Sequence, residues 1–323
     1  MKTILPYNKP LYCSYNYTGA LHVCGQNDSQ LDNWVLNHYI LWKYVIREPS
    51  QQHMPRLIIQ RASVYEDFPF MDHHKMWKKY IKGSYAPIIK AFLADGNYVY
   101  YTNVDDYYIS AYSAYKNYHN PHDGIINGYD DIKKVYFVSS YDKTGQYNNF
   151  EVPMYEFSRA WYSKYNYKNV EGEGFIIGLK LNPNAGYEAD NDLILTDLKR
   201  YLNSEKFIEE PEPMVFGVNA YSEIEKYITS AIKDGKICWD KRIFRIISEH
   251  KLSMAKRIEY LYKETLVPKN MVDEYKSIFE LAENTRLLHL KHLITENSRL
   301  LSKIRDNIGL IAEKEVELLS RIK

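Results

Sequence analysis

The spacing of hydrophobic residues predicts two helices near the start of the chain. The first covers LYCSYNYTGALHVCG, beginning near Cys13 and ending at Gly25, a residue typical of helix C-termini. The second begins at Ser29, which together with Asp32 resembles a capping box, and continues to Val45, because apolar residues recur at helical intervals. We expect this second segment to be a core helix.

Between residues 98 and 167 the pattern becomes that of β-strands. The segments NYVYYTNVDDYYI, DGIINGYD and KKVYFVSSYD are rich in Tyr, Val and Ile and are separated by Gly, Asn and Asp. The last two segments are predicted to be neighbouring strands across the turn at 129–133. The short segment GEGFIIGLKLN (172–182) is predicted to close the same sheet.

The second half of the chain has the periodicity of amphipathic helices. LILTDLKRYL, YSEIEKYITSAI and nearly all of the chain after residue 240 follow this pattern. Near the end, Leu287, Ile294, Leu301 and Ile308 repeat every seven residues, with Asn297 and Glu315 interrupting the repeat. The pattern predicts one long helix that packs on its own domain or on a second copy as a homodimer, and Asn297 favours the first arrangement. We therefore predict an α+β domain at 1–185 and a helical domain at 186–323.

Composition and charge exclude several classes of function. The 42 Lys and Arg residues nearly balance the 41 Asp and Glu residues in this chain of 323, which argues against nucleic-acid binding. No secretory signal is recognised at the N-terminus, and the longest apolar run, 175–179, is far below the ~20 residues of a membrane-spanning helix. The three cysteines form no CxxC motif, so we expect a cytoplasmic protein without disulfides.

Cofactor and metal motifs are not found in the sequence. There is no GxxxxGK[ST] segment, the motif whose loop holds nucleotide phosphates, and its absence argues against nucleotide use. His73 and His74 are adjacent and point apart on any regular element, while Pro121 prevents His119 and His122 from sharing a helical face. We therefore predict neither a cofactor nor a metal site.

One pair of residues is suited to covalent chemistry. Cys13 is predicted in the first turn of the first helix, where unpaired N–H groups favour a thiolate and could hold an oxyanion. His122 begins a predicted strand and could take the proton of the thiol. A lone cysteine is more often a small buried hydrophobe, however, and Cys24 and Cys238 are read in that way. Spacing alone leaves both readings of Cys13 open.

The sequence resembles a family of papain-like domains named for butirosin biosynthesis protein H. YCSYNYTGALHVCG resembles the cysteine helix of that family, NVDDYYI its aspartate strand, and HDGIINGYDDIKKVYFV its histidine strand with the following hairpin. WDKRIFRIISEHKLSMAKRIEYL is similar to the helical C-terminal part of relatives from nonribosomal peptide gene clusters. The resemblance implies a papain-like α+β fold in which Cys13 is the nucleophile and His122 is the catalytic histidine.

The same resemblance implies an activity and its partners. Members of the family transfer an acyl group from a carrier-protein thioester, through a cysteine thioester, to a small amine, and they need no ATP. The implied partners are therefore an acyl or peptidyl carrier protein and the amine. A hydrolase (amidase, thioesterase or peptidase) with the same site, and a papain-like binding protein without catalysis, are the alternatives.

The sequence departs from the papain-like pattern at two positions. Where such enzymes carry an Asn or Asp after the histidine, this chain has Ser139 and Ser140, with Asp142 two positions further on. Asp105 or Asp106 could orient His122 instead, but neighbouring strand residues face opposite ways, so only one of them can reach it.

The oxyanion hole of the family often uses a glutamine that lies before the cysteine. Here Tyr7 and Asn8 stand in that region, and either could donate a hydrogen bond.

A basic segment is a further candidate for contact with the carrier protein. HKMWKKYIKG contains Lys75, Lys78, Lys79 and Lys82. Its charge pattern is more typical of the solvated face of a helix, which is the interpretation that we favour.

Overall fold

The computed structural model describes residues 1–47, 55–65, 67–166, 174–234 and 240–322. These residues form a mixed α+β structure with antiparallel sheets, which confirms the predicted class. Within the described part, the strands in chain order are β1 (Lys2–Ile4), β2 (Trp42–Val45), β3 (Arg56–Ile59), β4 (Met71–Trp77), β5 (Tyr98–Asp105), β6 (Pro121–Asp130), β7 (Val135–Tyr141), β8 (Tyr147–Pro153), β9 (Phe175–Leu181) and β10 (Met214–Phe216). The helices are α1 (Asn16–Gly25), α2 (Ser29–His38), α3 (Ala86–Ala94), α4 (Met154–Trp161), α5 (Asn191–Leu202), α6 (Ala220–Lys233), α7 (Lys241–Lys263), α8 (Lys269–Thr295) and α9 (Arg299–Leu319).

The chain divides into two compact units. The first contains Met1–Asp32 and Ser63–Tyr187, and the second contains Asn33–Ala62 and Glu188–Lys323. The final crossing, after residue 187, is close to the predicted boundary at 185/186. The assignment of all of 1–185 to one domain differs from this division, because 33–62 belongs to the second unit.

The first unit is built on an antiparallel sheet of seven described strands. Among the described residues the strand order is β4-β9-β5-β6-β7-β8, and β1 pairs with the second part of β6. Strands β6 and β7 are neighbours, as predicted. The core of this unit lies against α3 and α4 and contains large side chains such as Tyr101, Phe157 and Trp161. Helix α1 packs on β6 and β7, which positions the start of α1 near the start of β6.

The second unit combines helices with a small sheet. Strand β2 lies between β3 and β10, and its pairing with β10 joins the early segment to the chain after residue 213. This pairing explains why 33–62 belongs to the second unit. Helix α7 packs on α8, and α9 packs on both α8 and α6.

A buried polar cluster lies in the middle of the second unit. Glu315 accepts hydrogen bonds from the hydroxyls of Tyr201 and Tyr221, at 2.8 and 2.7 Å, and from that of Tyr275. Lys251 Nζ donates to both oxygens of Glu315, at 2.6 and 2.8 Å. Burial lowers the pKa of Lys251 to about 8, and the charge of Glu315 opposes that decrease. The interruption of the heptad pattern at Glu315 therefore marks an internal ion pair.

Three sequence predictions of secondary structure are wrong. The second helix ends at His38, and Trp42–Val45 is a strand in which all four residues are buried. Because all four side chains are buried, that of Lys43 included, the segment has no helical or strand periodicity of its own, and tertiary pairing decides its form. The segment containing HKMWKKYIKG is the strand β4 followed by a short 3₁₀ turn at Lys78–Tyr80, and it pairs with β9. Strand β9 therefore has a neighbour on each side and does not close the sheet.

The long C-terminal helix is also broken in two. Helix α8 ends at Thr295, and Glu296 takes a left-handed conformation with φ 52°. The side chain of Asn297 then accepts a hydrogen bond from the backbone N–H of Arg299, at the start of α9. The α9 part of the heptad stripe, including Leu301, is buried within the unit, whereas Ile294 is 83% exposed. Because the helix reverses here, the heptad repeat does not continue along one straight seam.

Helices of membrane-spanning length and apolarity are not found in the described parts of the chain.

Candidate functional site

Cys13 lies just before helix α1 rather than inside it. The helix begins at Asn16, and the backbone of Tyr15 at its N-cap is extended, with φ −123° and ψ 154°. The prediction that Cys13 occupies the first turn is therefore wrong, because the helix begins three residues later. Cys13 is 2% exposed, and its Sγ lies 3.9 Å from the carbonyl oxygen of Pro10. Tyr141 donates a hydrogen bond from its hydroxyl to the carbonyl of Cys13, which fixes this segment on β7.

His122 is held against the start of α1 by an asparagine side chain. The Nδ2 atom of Asn16 lies 3.0 Å from Nδ1 of His122, 2.8 Å from the carbonyl oxygen of Asp123 and 2.9 Å from Oγ of Ser140. Asn16 is 4% exposed, whereas the side chain of His122 is 44% exposed. Since Asn16 follows Cys13 by three residues, these contacts bring the cysteine segment and the histidine strand to one place.

A carboxylate lies directly beside His122. The Oδ1 atom of Asp123 is 3.4 Å from Nδ1 of His122. The hydroxyl of Tyr100 donates to the other oxygen of Asp123, and Tyr65 shares a hydrogen bond of 3.0 Å with Tyr100. A chain of polar groups therefore runs from the imidazole to Tyr65, which is 52% exposed.

Asp105 is paired with a different histidine from the one predicted. Its Oδ2 lies 2.8 Å from Nδ1 of His119 and accepts a hydrogen bond of 2.7 Å from Ser163, while Oδ1 accepts from the backbone N–H groups of residues 107 and 120. Burial would raise the pKa of Asp105, but these hydrogen bonds hold it below its usual value. In the sheet Asp105 is opposite Pro121, and Val104 is opposite His122. The orienting contact that Asp105 makes is therefore with His119.

Of the two predicted carboxylates, Asp106 is the one that interacts electrostatically with His122. Its Oδ2 accepts a hydrogen bond of 2.8 Å from Nδ2 of Asn120. Burial raises the pKa of Asp106 to about 7, and the charge of His122 and the hydrogen bond from Asn120 partly oppose that increase. Asp106 is 7% exposed, so its charge acts through a poorly solvated region.

Asp142, the third candidate for orienting His122, forms hydrogen bonds within its own surface turn. It accepts hydrogen bonds from the side chains of Thr144 and Asn148. Burial would raise the pKa of Asp142, but the hydrogen bonds within the turn lower it. The two serines before it have separate roles, because Ser140 contacts Asn16 and Ser139 accepts from Asn149.

Two buried tyrosine hydroxyls near Cys13 have no hydrogen-bond partner among the described residues. These are the hydroxyls of Tyr7, which was predicted to be an oxyanion donor, and of Tyr147, which was not. Burial raises the pKa of both, well above the usual value for Tyr147, and the nearby charge of Cys13 adds to the increase. The sulfur is therefore within electrostatic range of both hydroxyls. Asn8 is half-buried.

The ring of Tyr147 lies directly on helix α1. A Cβ atom placed on Gly19 would be 2.5 Å from Cε2 of this ring, so the glycine leaves the space that Tyr147 fills. Tyr147 is 4% exposed.

Sequence reasoning missed Asn16, Asp123, Tyr141 and Tyr147. Asn16 and Asp123 could have been found, since one lies three residues after Cys13 and the other directly follows His122. The two tyrosines are on β7 and β8, and only the sheet register brings them to the start of α1.

The basic segment is only partly available to a partner. Lys78 Nζ donates to the carbonyl oxygens of Asn103 and Trp161, at 2.8 and 3.0 Å, and burial lowers its pKa to about 7. Lys75, Lys79 and Lys82 are exposed. Lys78 therefore anchors the 3₁₀ turn, and the other three lysines remain accessible.

The remaining thiols and metal-ligating residues do not form a second centre in the described residues. Cys24 is buried, and burial raises its pKa well above the usual value, as expected for a small buried hydrophobe. Cys238 lies outside the described residues. No group of three or more His, Cys, Asp or Glu side chains in the described ranges could hold a metal ion.

Comparisons with known proteins give no identification. No protein-family model matches the chain, and no curated protein matches it.

Proposed function

We propose that this protein is a cysteine-dependent acyltransferase of papain-like type that forms an amide bond without ATP. The donor is an acyl group held as a thioester on a carrier protein, and the acceptor is a small amine. Cys13 carries the acyl group between them, and His122 moves the protons. Within the family that it resembles, the sequence is similar to the amide-forming enzyme of closthioamide biosynthesis, which is why we propose secondary-metabolite assembly as the setting.

The observation that supports this proposal most directly is the 3.0 Å contact between Asn16 Nδ2 and His122 Nδ1. It ties the segment that bears the thiol to the start of the strand that bears the imidazole. Thiolate is the reactive form of cysteine, and a neighbouring imidazole is the usual group that accepts the thiol proton. A lone buried cysteine would not need a half-exposed histidine fixed at this position.

The proposed reaction has two steps. His122 takes the thiol proton of Cys13, the resulting thiolate attacks the carbonyl carbon of the thioester, the bond to the carrier sulfur breaks, and His122 gives that proton to the departing carrier thiol. The amine then attacks the same carbon, the bond to Cys13 breaks, and His122 takes the amine proton and returns it to the sulfur. Exchange between two thioesters is nearly neutral in energy and amide formation is favourable, so no ATP is required.

The buried tyrosines suit this chemistry in two ways. The hydroxyls of Tyr7 and Tyr147, which have no partner among the described residues, are donors for the oxygen that becomes negative during each attack. The low exposure of Cys13 keeps bulk water from the thioester, which favours the amine over hydrolysis.

We propose that the exposed lysines Lys75, Lys79 and Lys82 contribute to docking of the carrier protein.

The test is a reaction of the purified protein with a synthetic acyl-pantetheine thioester and a primary amine, followed by mass spectrometry. The wild type should give the amide and a transient acyl adduct on the peptide that contains Cys13. The variant Cys13→Ala should give neither product, whereas the matched variant Cys24→Ala should behave as the wild type.

Two results would reject the proposal. Free acid as the sole product, with the adduct still on Cys13, would assign the site to a thiol hydrolase. Undiminished product formation by Cys13→Ala would remove the nucleophile.

A further inference from the structure

The orientation of the Asn16 side chain follows from one of its contacts. The carbonyl oxygen of Asp123 can only accept a hydrogen bond, so the Asn16 atom 2.8 Å away from it must be the amide nitrogen. The amide oxygen of Asn16 is buried and has no partner among the described residues. Turning the amide over would place two acceptors face to face, which makes the present orientation the favourable one.

This orientation determines which form of His122 Asn16 can bind. One amide hydrogen serves the carbonyl of Asp123, and the other points toward His122 Nδ1 and Ser140 Oγ. A donor facing Nδ1 is satisfied only when this nitrogen carries a lone pair, as it does in the neutral ring protonated at Nε2. The lone pair then faces Asn16, the first residue of α1. Asn16 therefore favours the neutral base.

Asp123 favours the opposite state of the same atom. Its Oδ1 lies 3.4 Å from His122 Nδ1, and a carboxylate can bind that nitrogen only when it carries a proton. Tyr100 holds the second oxygen of this carboxylate, which limits its freedom to move away. Asp123 thus stabilises the imidazolium that forms when the thiol loses its proton.

We propose that Asn16 and Asp123 are positioning residues that act with opposite sign on Nδ1 of His122, the first on the neutral base and the second on the imidazolium. The catalytic consequence rests on the proposed acyl transfer, but the effect on the imidazole does not. Among the groups of the described residues, the carboxylate of Asp106, after β5, also interacts electrostatically with His122, while Ser140 on β7, which shares the Asn16 amide, is uncharged. Because Asn16 stabilises the neutral ring and Asp123 stabilises the protonated ring, His122 can gain and lose a proton at Nδ1.

The experiment is an NMR titration of the full-length protein labelled with ¹⁵N in its histidine rings, with the His122 signals assigned by their loss in His122→Gln. Replacing Asn16 with Ala removes the donor to the neutral ring, so the midpoint of the His122 titration should rise by about half to one pH unit. Replacing Asp123 with Asn keeps the size and the hydrogen bond from Tyr100 but removes the charge, so the midpoint should fall by a similar amount. The wild-type ring should also show the Nε2–H tautomer when neutral.

The controls separate a local effect from general disturbance. Asp142→Asn should leave the midpoint unchanged, since that carboxylate is bound within its own turn. Asn16→Ser, which shortens the side chain but keeps a polar group for the carbonyl of Asp123, should raise the midpoint as Asn16→Ala does. Folding of each variant is checked by near-UV circular dichroism.

Kinetics provide the second measurement. The acidic limb of the kcat/KM profile for acyl transfer should move up in pH for Asn16→Ala and down for Asp123→Asn. Midpoints that move in the same direction in both variants, or that do not move, would overturn the inference. If Cys13→Ala remained active while the two midpoints moved apart, the proposed function would fail and the assignment of Asn16 and Asp123 would stand.

Discussion

At the scale of single residues, the site combines one half-exposed histidine that contacts Asn16 and Asp123 with two buried tyrosine hydroxyls that have no hydrogen-bond partner among the described residues. A buried hydroxyl without a partner destabilises the folded protein, because its hydrogen bond to water is lost without replacement. Two such groups within range of one cysteine are therefore expected to have a use in the bound state. This is the physical reason for assigning Tyr147 a role that its sequence position does not suggest.

The first residue-scale prediction concerns this hydroxyl. Tyr147→Phe removes the hydroxyl while the ring still fills the space over Gly19. We expect kcat for acyl transfer to fall by roughly 10²-fold, as for the loss of one oxyanion donor, while the melting temperature stays the same or rises. Steady-state kinetics and thermal unfolding of the same samples provide the two values.

A matched control is Tyr136→Phe, in the core of the same unit and away from the cysteine. Equal losses of kcat in the two variants would mean that Tyr147 has no specific role.

The second residue-scale prediction concerns Asp106. Its pKa is about 7 in the folded protein, because of burial, and near 3.8 when unfolded. A raised carboxyl pKa stabilises the fold fully only below the unfolded value, and this contribution is lost as the pH rises from about 4 to 7. Asp106→Asn cannot ionise, so its stability relative to wild type should increase between pH 5 and pH 8, by an amount on the order of 3 kcal/mol.

Urea unfolding at the two pH values measures this difference. The control is Asp142→Asn, since the pKa of Asp142 is lowered and its contribution is already complete above pH 5. A stability difference for Asp106→Asn that is the same at both pH values would contradict the burial argument.

At the scale of secondary-structure elements, tertiary packing determined whether a segment is helix or strand wherever its hydrophobic periodicity was short or interrupted. Helix α1 and strands β6 and β7 could be predicted, because each has a regular pattern with clear stop signals. The strand at Trp42–Val45 could not, since four buried residues fit either structure until β3 and β10 are known. Asn297 interrupts the heptad repeat, but the sequence predicted one continuous helix, because the reversal depends on the left-handed backbone at Glu296. Local sequence does not specify that conformation.

The element-scale prediction concerns the ion pair between α7 and α9. Lys251 and Glu315 are both fully buried. Removing one partner leaves an unpaired charge in a region that excludes water, which typically costs about 3–5 kcal/mol. We therefore expect Glu315→Gln and Lys251→Met each to lower the free energy of unfolding strongly, with the double variant recovering much of the loss.

Urea unfolding followed by circular dichroism at 222 nm provides this comparison. A comparable control is Lys226→Met in α6, because this lysine is exposed in its pair with the half-buried Glu223, and the pair should contribute less than about 1 kcal/mol. Additive losses in the double variant would show that the two buried charges do not depend on each other.

At the scale of the whole molecule, the sequence predicted the α+β class and a boundary after residue 185, two residues before the chain last leaves the first unit. It also pointed to the segment around Cys13 and to His122. Asn16, three residues after Cys13, contacts His122 through its side-chain amide. The division into two units could not be predicted, because it depends on pairing between strands about 170 positions apart, for which a linear pattern carries no signal. The same limit applied to the carboxylates: periodicity could say that Asp105 and Asp106 face opposite ways, but not which histidine each one meets.

The interleaving of the two units has a consequence for protein synthesis. The ribosome synthesises the chain from the N-terminus to the C-terminus, so every residue of the first unit has been translated once synthesis reaches residue 187. At that moment β2 has β3 on one edge, but β10, its neighbour on the other edge, has not yet been translated. The backbone groups on this edge of β2 can pair only after nearly 30 further residues have been translated. Unpaired strand edges readily pair with other chains. Slow decoding in this interval would therefore favour aggregation of the nascent protein, and a chaperone that covers the strand would reduce it.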